Sequence, residues 1–216
     1  MTNATRFWLI RHGETQWNAE RRLQGWLDIP LNTVGLEQAR RVSSHLQSAD
    51  FDVDIDVVTS SDLGRAYETA RIAAAHLPLP IMRDKQLRER CYGIYEGRDW
   101  AMLEGEQVGS HYVNFRDPAQ EVEDGETLPE FATRIARAFE RLAQEHPGRN
   151  VLVFSHGGVI DIAWRQAAGV GLSAPRNGPI LNASINCLAI DIDRKWHLLD
   201  WGLGSHLHAP ALDDVL

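Results

Sequence analysis

The stretch 7–18 constrains the fold of this chain more than any other. It opens with an apolar, β-prone run at 7–10 and stops abruptly at Arg11-His12-Gly13. A short apolar run that ends in this way indicates a buried strand with polar residues at its carboxyl end. In open α/β sheets ligands bind beyond these ends, and Gly13, which has no Cβ, lets the backbone turn or approach a ligand. The stretch therefore places Arg11 and His12 where chemistry is expected.

A second apolar run, Val151-Leu152-Val153-Phe154, is typical of a central parallel strand that is buried on both faces. It ends in Ser155-His156-Gly157-Gly158, so a second histidine follows a second strand. On its own, His156 has an ordinary explanation as a capping residue, and His12 as a polar loop residue. Two such histidines converge on one crevice if their strands are adjacent, and the following glycines leave N–H groups free to face an anion. Taken together, the pair favours a site.

A third segment, 60–70, follows a predicted strand at 54–59 and opens a helix over about 63–76, which we expect Ser60-Ser61-Asp62 to cap. Arg65 lies in the first turn, where a cation is unfavourable beside the positive end of the helix dipole. The ordinary explanation is a surface arginine paired with Glu68. The unfavourable placement of this cation is instead a hint that Arg65 has a function.

Strands and helices alternate along the rest of the chain. Strands are predicted over 6–11, 80–83, 184–191 and 195–201, with the last two joined as a hairpin through Asp193-Arg194, and helices over about 33–46, 127–145 and 158–168, with Thr33 and Thr127 as N-caps. This alternation predicts an α/β fold, a three-layer sandwich with a mostly parallel central sheet. The irregular stretch 84–126 is interpreted as a lid-like insertion in a single domain of residues 1–216.

Charge and cysteine content exclude several classes of protein. The formal net charge of −8 and the lack of a Lys/Arg-rich run argue against nucleic-acid or anionic-membrane partners. No apolar run approaches the ~20 residues of a membrane span, and no signal peptide is apparent, so we expect a cytoplasmic protein. Cys91 and Cys187 lack the spacing of a zinc site or a disulfide framework. The nine histidines show no metal-ligand spacing.

The three segments, in their order along the chain, resemble the histidine phosphatase superfamily, also called phosphoglycerate mutase-like, over residues 7–158. The resemblance implies the three-layer α/β fold of that family. It also implies a reaction without metal or cofactor, in which His12 takes a phosphoryl group onto its ring nitrogen. It further implies that Arg11 and Arg65 clamp the phosphate and that His156 holds the same oxygens. Permanently charged guanidinium groups suit this task because they bind phosphoryl oxygens bidentately. They also disfavour protonation of His12, which must attack as neutral imidazole.

Glu89, in Leu87-Arg88-Glu89-Arg90, matches the acid of the family that protonates the leaving oxygen and then activates water. It acts as an acid only if it is protonated while substrate is bound, which burial and the negative charge of the substrate favour. Without the resemblance, a surface ion pair with Arg88 or Arg90 is the simpler explanation. By the same resemblance, the substrate-binding residues are expected to be Asn18, Gln24, Gly25, Tyr92 and Gly157.

Departures from the mutases of the family favour a phosphatase. Cys91 stands where mutases have histidine, and the stretch 94–125 has no lysine and no tandem arginine pair to grip a glycerate carboxylate. It offers Arg98 and Arg116, and an apolar rim of Trp100, Met102, Leu103, Tyr112 and Phe115. We therefore predict a metal-independent phosphomonoesterase for broader or bulkier esters.

The alternative is a 2,3-bisphosphoglycerate-dependent phosphoglycerate mutase. A catalytically idle binding module ranks lower, because His12, Arg65, Glu89 and His156 are all present. The expected partner is a phosphorylated small molecule, and the family indicates a homodimer.

Overall fold

The computed structural model describes residues 3–104, 107–108, 111–207 and 211–213, of which 104, 107–108 and 111–112 are described by their backbone alone. The strands are β1 (Thr5–Arg11), β2 (Val57–Ser61), β3 (Ile81–Asp84), β4 (Gln107–Val108), β5 (His111–Tyr112), β6 (Asn150–Ser155), β7 (Ile185–Ile190) and β8 (Trp196–Leu203). The helices are α1 (Gln16–Ala19), α2 (Thr33–Leu46), α3 (Gly64–Ala73), α4 (Trp100–Glu104), α5 (Leu128–Glu145) and α6 (Gly157–Ala168).

The central sheet has the strand order β3-β2-β6-β1-β7-β8. Its first four strands are parallel to one another, whereas β7 pairs antiparallel with β1 and β8 pairs antiparallel with β7. The prediction of an α/β fold with a mostly parallel sheet is confirmed. In the register of β1 and β6, Arg11 lies opposite Ser155, so the two strands end side by side. This adjacency is what brings their polar tips together.

Helices cover both faces of the sheet. Since alternate residues of a strand face opposite sides, each central strand contributes side chains to two buried clusters. Leu9 and Val153 belong to a buried cluster that includes α5 and α6. Their neighbours Ile10 and Leu152 belong to the cluster on the other face, with α2 and α3. The continuous apolar runs of β1 and β6 follow from this double burial. Within the described part of the chain, no helix combines the length and the apolar character needed to cross a membrane.

The predicted cap of α3 is wrong. The run 60–62 does not cap this helix; instead, the carboxylate of Asp28, from a distant loop, accepts the N–H of Gly64 at 2.7 Å. Asp62 is drawn away into an ion pair with Arg88 at 2.6 Å. A carboxylate so far away in sequence satisfies the helix terminus as well as a local one does, and no local pattern could reveal it.

The other two helix starts lie at or next to their predicted caps. In α2 the N-cap is Asn32, not Thr33, because the Asn32 side chain accepts the N–H of Gly35 at 2.8 Å. In α5 the prediction is confirmed, since Thr127 and Glu130 form a reciprocal capping box. Local side-chain chemistry therefore sets both helix starts.

The stretch 84–126 supplies most of a small core, which takes up part of the predicted apolar rim. Leu103 and Phe115 are buried in it, and Trp100 packs against it. The other buried members are Leu23, Tyr92, Tyr95, Val113 and Val122. Met102 is exposed, and the side chain of Tyr112 lies outside the described residues. Trp100 and Leu103 therefore stabilise the insertion, whereas Phe115 both packs in this core and lines a large cavity beside the site.

Candidate active site

Two histidines meet at the tips of β1 and β6. The ring centroids of His12 and His156 lie 5.2 Å apart, and the backbone N–H of His12 donates to the carbonyl of Ser155 at 2.9 Å. Both side chains are buried. The convergence expected from the sequence is therefore present, and it depends on the pairing of these two strands.

The hydrogen bonds of His12 define its reactive nitrogen. Nδ1 lies 2.7 Å from the carbonyl oxygen of Gly13, so it carries the proton and donates, which leaves a lone pair on Nε2. Arg65 Nε lies 3.3 Å from that Nε2. Burial holds the pKa of His12 well below its usual value, the charges of Arg65 and Arg11 lower this pKa further, and only the Gly13 carbonyl opposes them. His12 is therefore a neutral imidazole with Nε2 directed towards a cation.

Arg65 is the second residue of α3 and is almost completely buried. Its guanidinium donates to the carbonyl of Gly25 at 2.7 Å and to that of Leu27 at 2.9 Å. Burial lowers the pKa of Arg65 to about 10, with Glu89 the first of the carboxylates that oppose this effect, so the group stays charged at neutral pH. With the contact to His12, three of its five N–H groups are engaged. The remaining two are donors for an anion.

The surface pairing considered for Arg65 does not occur, because Glu68 pairs with Arg71 at 2.6 Å. Arg11 has a different kind of partner. Its guanidinium donates to the carbonyls of Ile180 at 2.6 Å and Leu212 at 3.0 Å. Part of the C-terminal tail therefore lies against Arg11, whereas positions 208–210 and 214–216 are outside the described residues.

His156 is held by a serine. Its Nε2 lies 2.8 Å from Ser61 Oγ, and its buried Nδ1 has no hydrogen-bond partner among the residues that the structure describes. Burial keeps the pKa of His156 well below its usual value, and the positive charge of Arg65 adds to this. The ring is therefore neutral, with one polar atom still unused beside His12.

Nine of the ten residues predicted for the site line one small cavity of about 40 Å³, and only His156 lies outside its lining. A cavity of this size exceeds what one water needs. Its walls are Arg11, His12, Asn18, Arg22, Leu23, Gln24, Gly25, Arg65, Glu89, Tyr92 and Gly157. Three arginines around so small a space favour an anion over a neutral ligand.

Glu89 is a buried carboxylate rather than part of a surface ion pair, with only 8% of the residue exposed. Its Oε1 accepts the N–H of Arg90 at 2.8 Å, and its Oε2 accepts that of Gly158, in the first turn of α6, at 3.1 Å. The guanidinium of Arg90 instead donates to the carbonyls of Phe115 and Glu126. Arg88 pairs with Asp62 at 2.6 Å, and Glu89 lies in the wall of the small cavity.

The side-chain amides of Asn18 and Gln24 share one partner, Thr15. Thr15 Oγ lies 3.0 Å from Asn18 Oδ1 and 3.0 Å from Gln24 Oε1. Because these contacts use the amide oxygens, the NH₂ groups of Asn18 and Gln24 are the ends that can donate to an anion. The short helix α1 and its capping box at Thr15 hold this arrangement.

Three supporting residues were missed by the sequence analysis. Arg22 lines the cavity, and a second cation in the polar loop after β1 was its only signal. Thr69 Oγ accepts the N–H of Gly13 at 3.0 Å; it lies one helical turn after Arg65, a spacing that places both on one face. Asn182 donates to the backbone carbonyl of His12 at 3.0 Å, and no local pattern connects residues so far apart.

A larger cavity of about 570 Å³ adjoins the small one. Tyr92 lines both, and Gly158, which donates to Glu89, lines the larger. Its walls combine apolar Phe115, Leu128 and Phe131 with charged groups such as Arg116. The carboxylate of Glu89 thus lines the small cavity and accepts a hydrogen bond from a residue that lines the larger one. Among the residues that the structure describes, no group of three or more His, Cys, Asp or Glu side chains is placed to hold a metal ion.

The arrangement joins a neutral imidazole, two guanidinium groups and a buried carboxyl group, which is a set suited to phosphoryl transfer. Over residues 7–203 the chain matches the profile of the Histidine phosphatase superfamily (branch 1), and it belongs to that family. It is 38% identical to "Phosphoglycerate mutase-like protein 4" of Arabidopsis thaliana over 204 residues, which cover 92% of this chain and 85% of that protein.

Two further relatives are phosphatases. The "Metal-independent phosphoserine phosphatase" of Arabidopsis thaliana is 35% identical over 211 residues, covering 95% of this chain and 84% of that protein. The solved structure of a mycobacterial glucosyl-3-phosphoglycerate phosphatase superposes with a TM-score of 0.76 at 27% identity, covering 92% of this chain and 98% of that one. The family and these relatives support a phosphatase-type enzyme.

Proposed function

We propose that this protein is a metal-independent phosphomonoesterase that hydrolyses small phosphate esters through a phosphohistidine on His12. The observation that carries the proposal is the state of His12: Nδ1 donates to Gly13, and Nε2 faces the guanidinium of Arg65 across 3.3 Å. A neutral imidazole is a competent nucleophile, and a cation beside it stabilises the charge of the phosphoryl group. Arg11, Arg65 and His156 would surround the phosphoryl oxygens, with Asn18, Gln24 and Gly157 as further ligands.

The reaction would proceed in two balanced steps. In the first, His12 Nε2 bonds to phosphorus, the bond from phosphorus to the ester oxygen breaks, and Glu89 gives its proton to that oxygen. In the second, water attacks the phosphohistidine, Glu89 accepts a proton from the water, and the N–P bond breaks to release phosphate. A residue that serves as acid and then as base must lie beside the leaving oxygen. The position of Glu89 in the wall of the small cavity, with its Oε2 bound to Gly158 of the larger one, supports this role.

The larger cavity supports hydrolysis of bulky esters. Its volume of about 570 Å³ lies in the range of about 300–1,000 Å³ that is usual for small-molecule sites. A leaving group that is cleaved at Glu89 would extend into it, past Tyr92. We also propose that residues 1–216 act as a single domain, in which the stretch 84–126 is a lid-like insertion that supplies Tyr92 and Phe115 to these walls.

A phosphoglycerate mutase is the second candidate, because relatives that span this chain carry that name. Both candidates share the first half-reaction on His12. They differ in whether the phosphoryl group passes to water or back to a phosphoglycerate.

One assay separates these candidates. We would supply 3-phosphoglycerate with and without 2,3-bisphosphoglycerate, and separately an aryl phosphate, and follow released phosphate together with 2-phosphoglycerate. A phosphatase releases phosphate from the aryl ester with little isomerisation, keeps its activity in EDTA, and loses both turnover and acid-labile phosphoenzyme in His12→Ala. Rapid bisphosphoglycerate-dependent isomerisation would establish the mutase. Turnover by His12→Ala, or a metal-reversible loss in EDTA, would refute the proposed mechanism.

A further inference from the structure

A carboxylate outside the predicted site joins the loops that carry the site. Glu96 Oε1 accepts the backbone N–H of Trp26 at 2.9 Å and that of Tyr92 at 3.0 Å. Its Oε2 accepts the N–H of Leu27 at 3.2 Å. One side chain therefore accepts three N–H groups from two loops, and Trp26 in the first of them lies 70 positions from Glu96.

The first of these loops is the one that holds Arg65. The carbonyl of Gly25 and the N–H of Trp26 belong to the same peptide group, so Glu96 holds one end of it while Arg65 binds the other at 2.7 Å. The second contact acts through two successive peptide groups, because Leu27 donates its N–H to Glu96 and its carbonyl, in the following peptide group, accepts from Arg65. Glu96 therefore fixes the plane of the Gly25 carbonyl and anchors the residue that supplies the Leu27 carbonyl to this guanidinium.

The same loop also reaches Glu89. The indole N–H of Trp26 donates to the backbone carbonyl of Glu89 at 2.8 Å. Tyr92, whose N–H binds Glu96, lines both cavities. The contacts of Glu96 thus extend to the cation and to the acid of the site, although Glu96 itself does not line the small cavity.

The close approach of Gly25 shows that the backbone is shaped around this carboxylate. Gly25 has a φ of +54°, and a Cβ added there would lie 2.0 Å from Glu96 Oε1. Its left-handed conformation and the missing side chain both serve this contact. The negative charge of Glu96 also acts on Arg65, since it raises the pKa of the guanidinium against the effect of burial.

We propose that Glu96 is a positioning residue for phosphate binding: it sets the orientation of Arg65 through the Gly25 and Leu27 carbonyls. The proposal rests on the proposed function, in which Arg65 binds the phosphoryl group. It predicts that loss of the carboxylate weakens the affinity for phosphate, even though Glu96 does not touch the ligand.

The test compares Glu96→Ala and Glu96→Gln with a control, Glu123→Gln, which removes the same charge from an exposed side chain of the insertion. Calorimetry with inorganic phosphate measures affinity without turnover, and thermal unfolding shows that each variant is folded at the assay temperature. We expect affinity to fall about tenfold or more in Glu96→Ala, because three N–H groups lose their acceptor. Glu96→Gln should lie in between, since one amide oxygen remains, and the control should match the wild type.

Kinetics with an aryl phosphate give the second readout. The loss should appear mainly in KM, with a smaller change in kcat, whereas a general loss of folded protein would lower the apparent kcat alone. If Glu96→Ala does not fold, the comparison of Glu96→Gln with the control decides the question. Affinity and KM within twofold of the wild type in the folded variants would overturn the role of Glu96. A wild type that binds phosphate but hydrolyses no ester would refute the proposed function and leave this test intact.

Discussion

Gly158→Ala tests the placement of Glu89 without changing any charged group. Gly158 lies in the first turn of α6, and an added Cβ would lie 2.3 Å from Glu89 Oε1. Ordinary contact begins at 3.4 Å, so the carboxylate would have to move by about 1 Å, the difference between the two distances. Phe131 restricts an alternative response, because its ring lies 3.2 Å from the same Cβ position.

A displacement of this size sets the expected effect. Misplacing a catalytic group by about 1 Å costs on the order of 100-fold in rate, which corresponds to about 2.7 kcal/mol. Helix propensity works in the other direction, since alanine is favoured over glycine by up to about 1 kcal/mol in a helix. We therefore expect Gly158→Ala to lose activity while it keeps its thermal stability.

The assay compares phosphoryl transfer from an alkyl phosphate with that from an aryl phosphate that has an activated leaving group. Only the alkyl ester needs a proton from Glu89 in the first step, so its kcat/KM should fall by about 100-fold and that of the aryl ester by much less. Because Glu89 also activates water, the aryl ester should show a burst and accumulate phosphoenzyme. Gly171→Ala is the matched control, because its Cβ meets nothing within 4 Å. Equal losses on both esters, or an alkyl-ester rate within twofold of the wild type, would refute the assignment of Glu89.

Three further predictions follow from the same contacts. Glu89→Gln should slow alkyl esters far more than activated aryl esters in single-turnover kinetics, and parallel losses would contradict its acid role. Burial lowers the pKa values of His12 and His156, so the unfolded chain binds protons at a higher pH than the folded chain does. Chemical denaturation should therefore show the free energy of unfolding falling below about pH 6.5, by up to about 1.4 kcal/mol per pH unit for each histidine. An unchanged slope of that free energy against pH in His156→Gln would count against this. Asp213→Ala removes the acceptor of the Ile180 N–H. It should loosen the tail residues that bind Arg11 and so raise KM severalfold. An unchanged KM would show that the tail does not hold Arg11 in place.

Local chemistry was sufficient for much of the architecture. The double burial of 7–10 and 151–154 produces their continuous apolar runs, so both central strands could be predicted from residue type alone. Thr127 was recognisable as a cap because the capping box is a contact between residues three positions apart. Asp28 was not recognisable as the cap of α3, because it reaches Gly64 across 36 positions. The core around Leu103 and Phe115 was not predicted for the same reason, since only the folded structure shows that these residues belong to one buried cluster.

The sequence by itself determined which chemistry is present: two histidines after strands, arginines suited to an anion, and Glu89 in a matching motif. It also determined that β1 and β6 end in polar residues. Only the tertiary structure decided that these strands are neighbours, that Nε2 of His12 faces Arg65, and that the tail at Leu212 and the carboxylate of Glu96 support the two arginines. These contacts join residues that are distant along the chain, and the free energy of such pairings depends on the whole packed structure rather than on any local pattern.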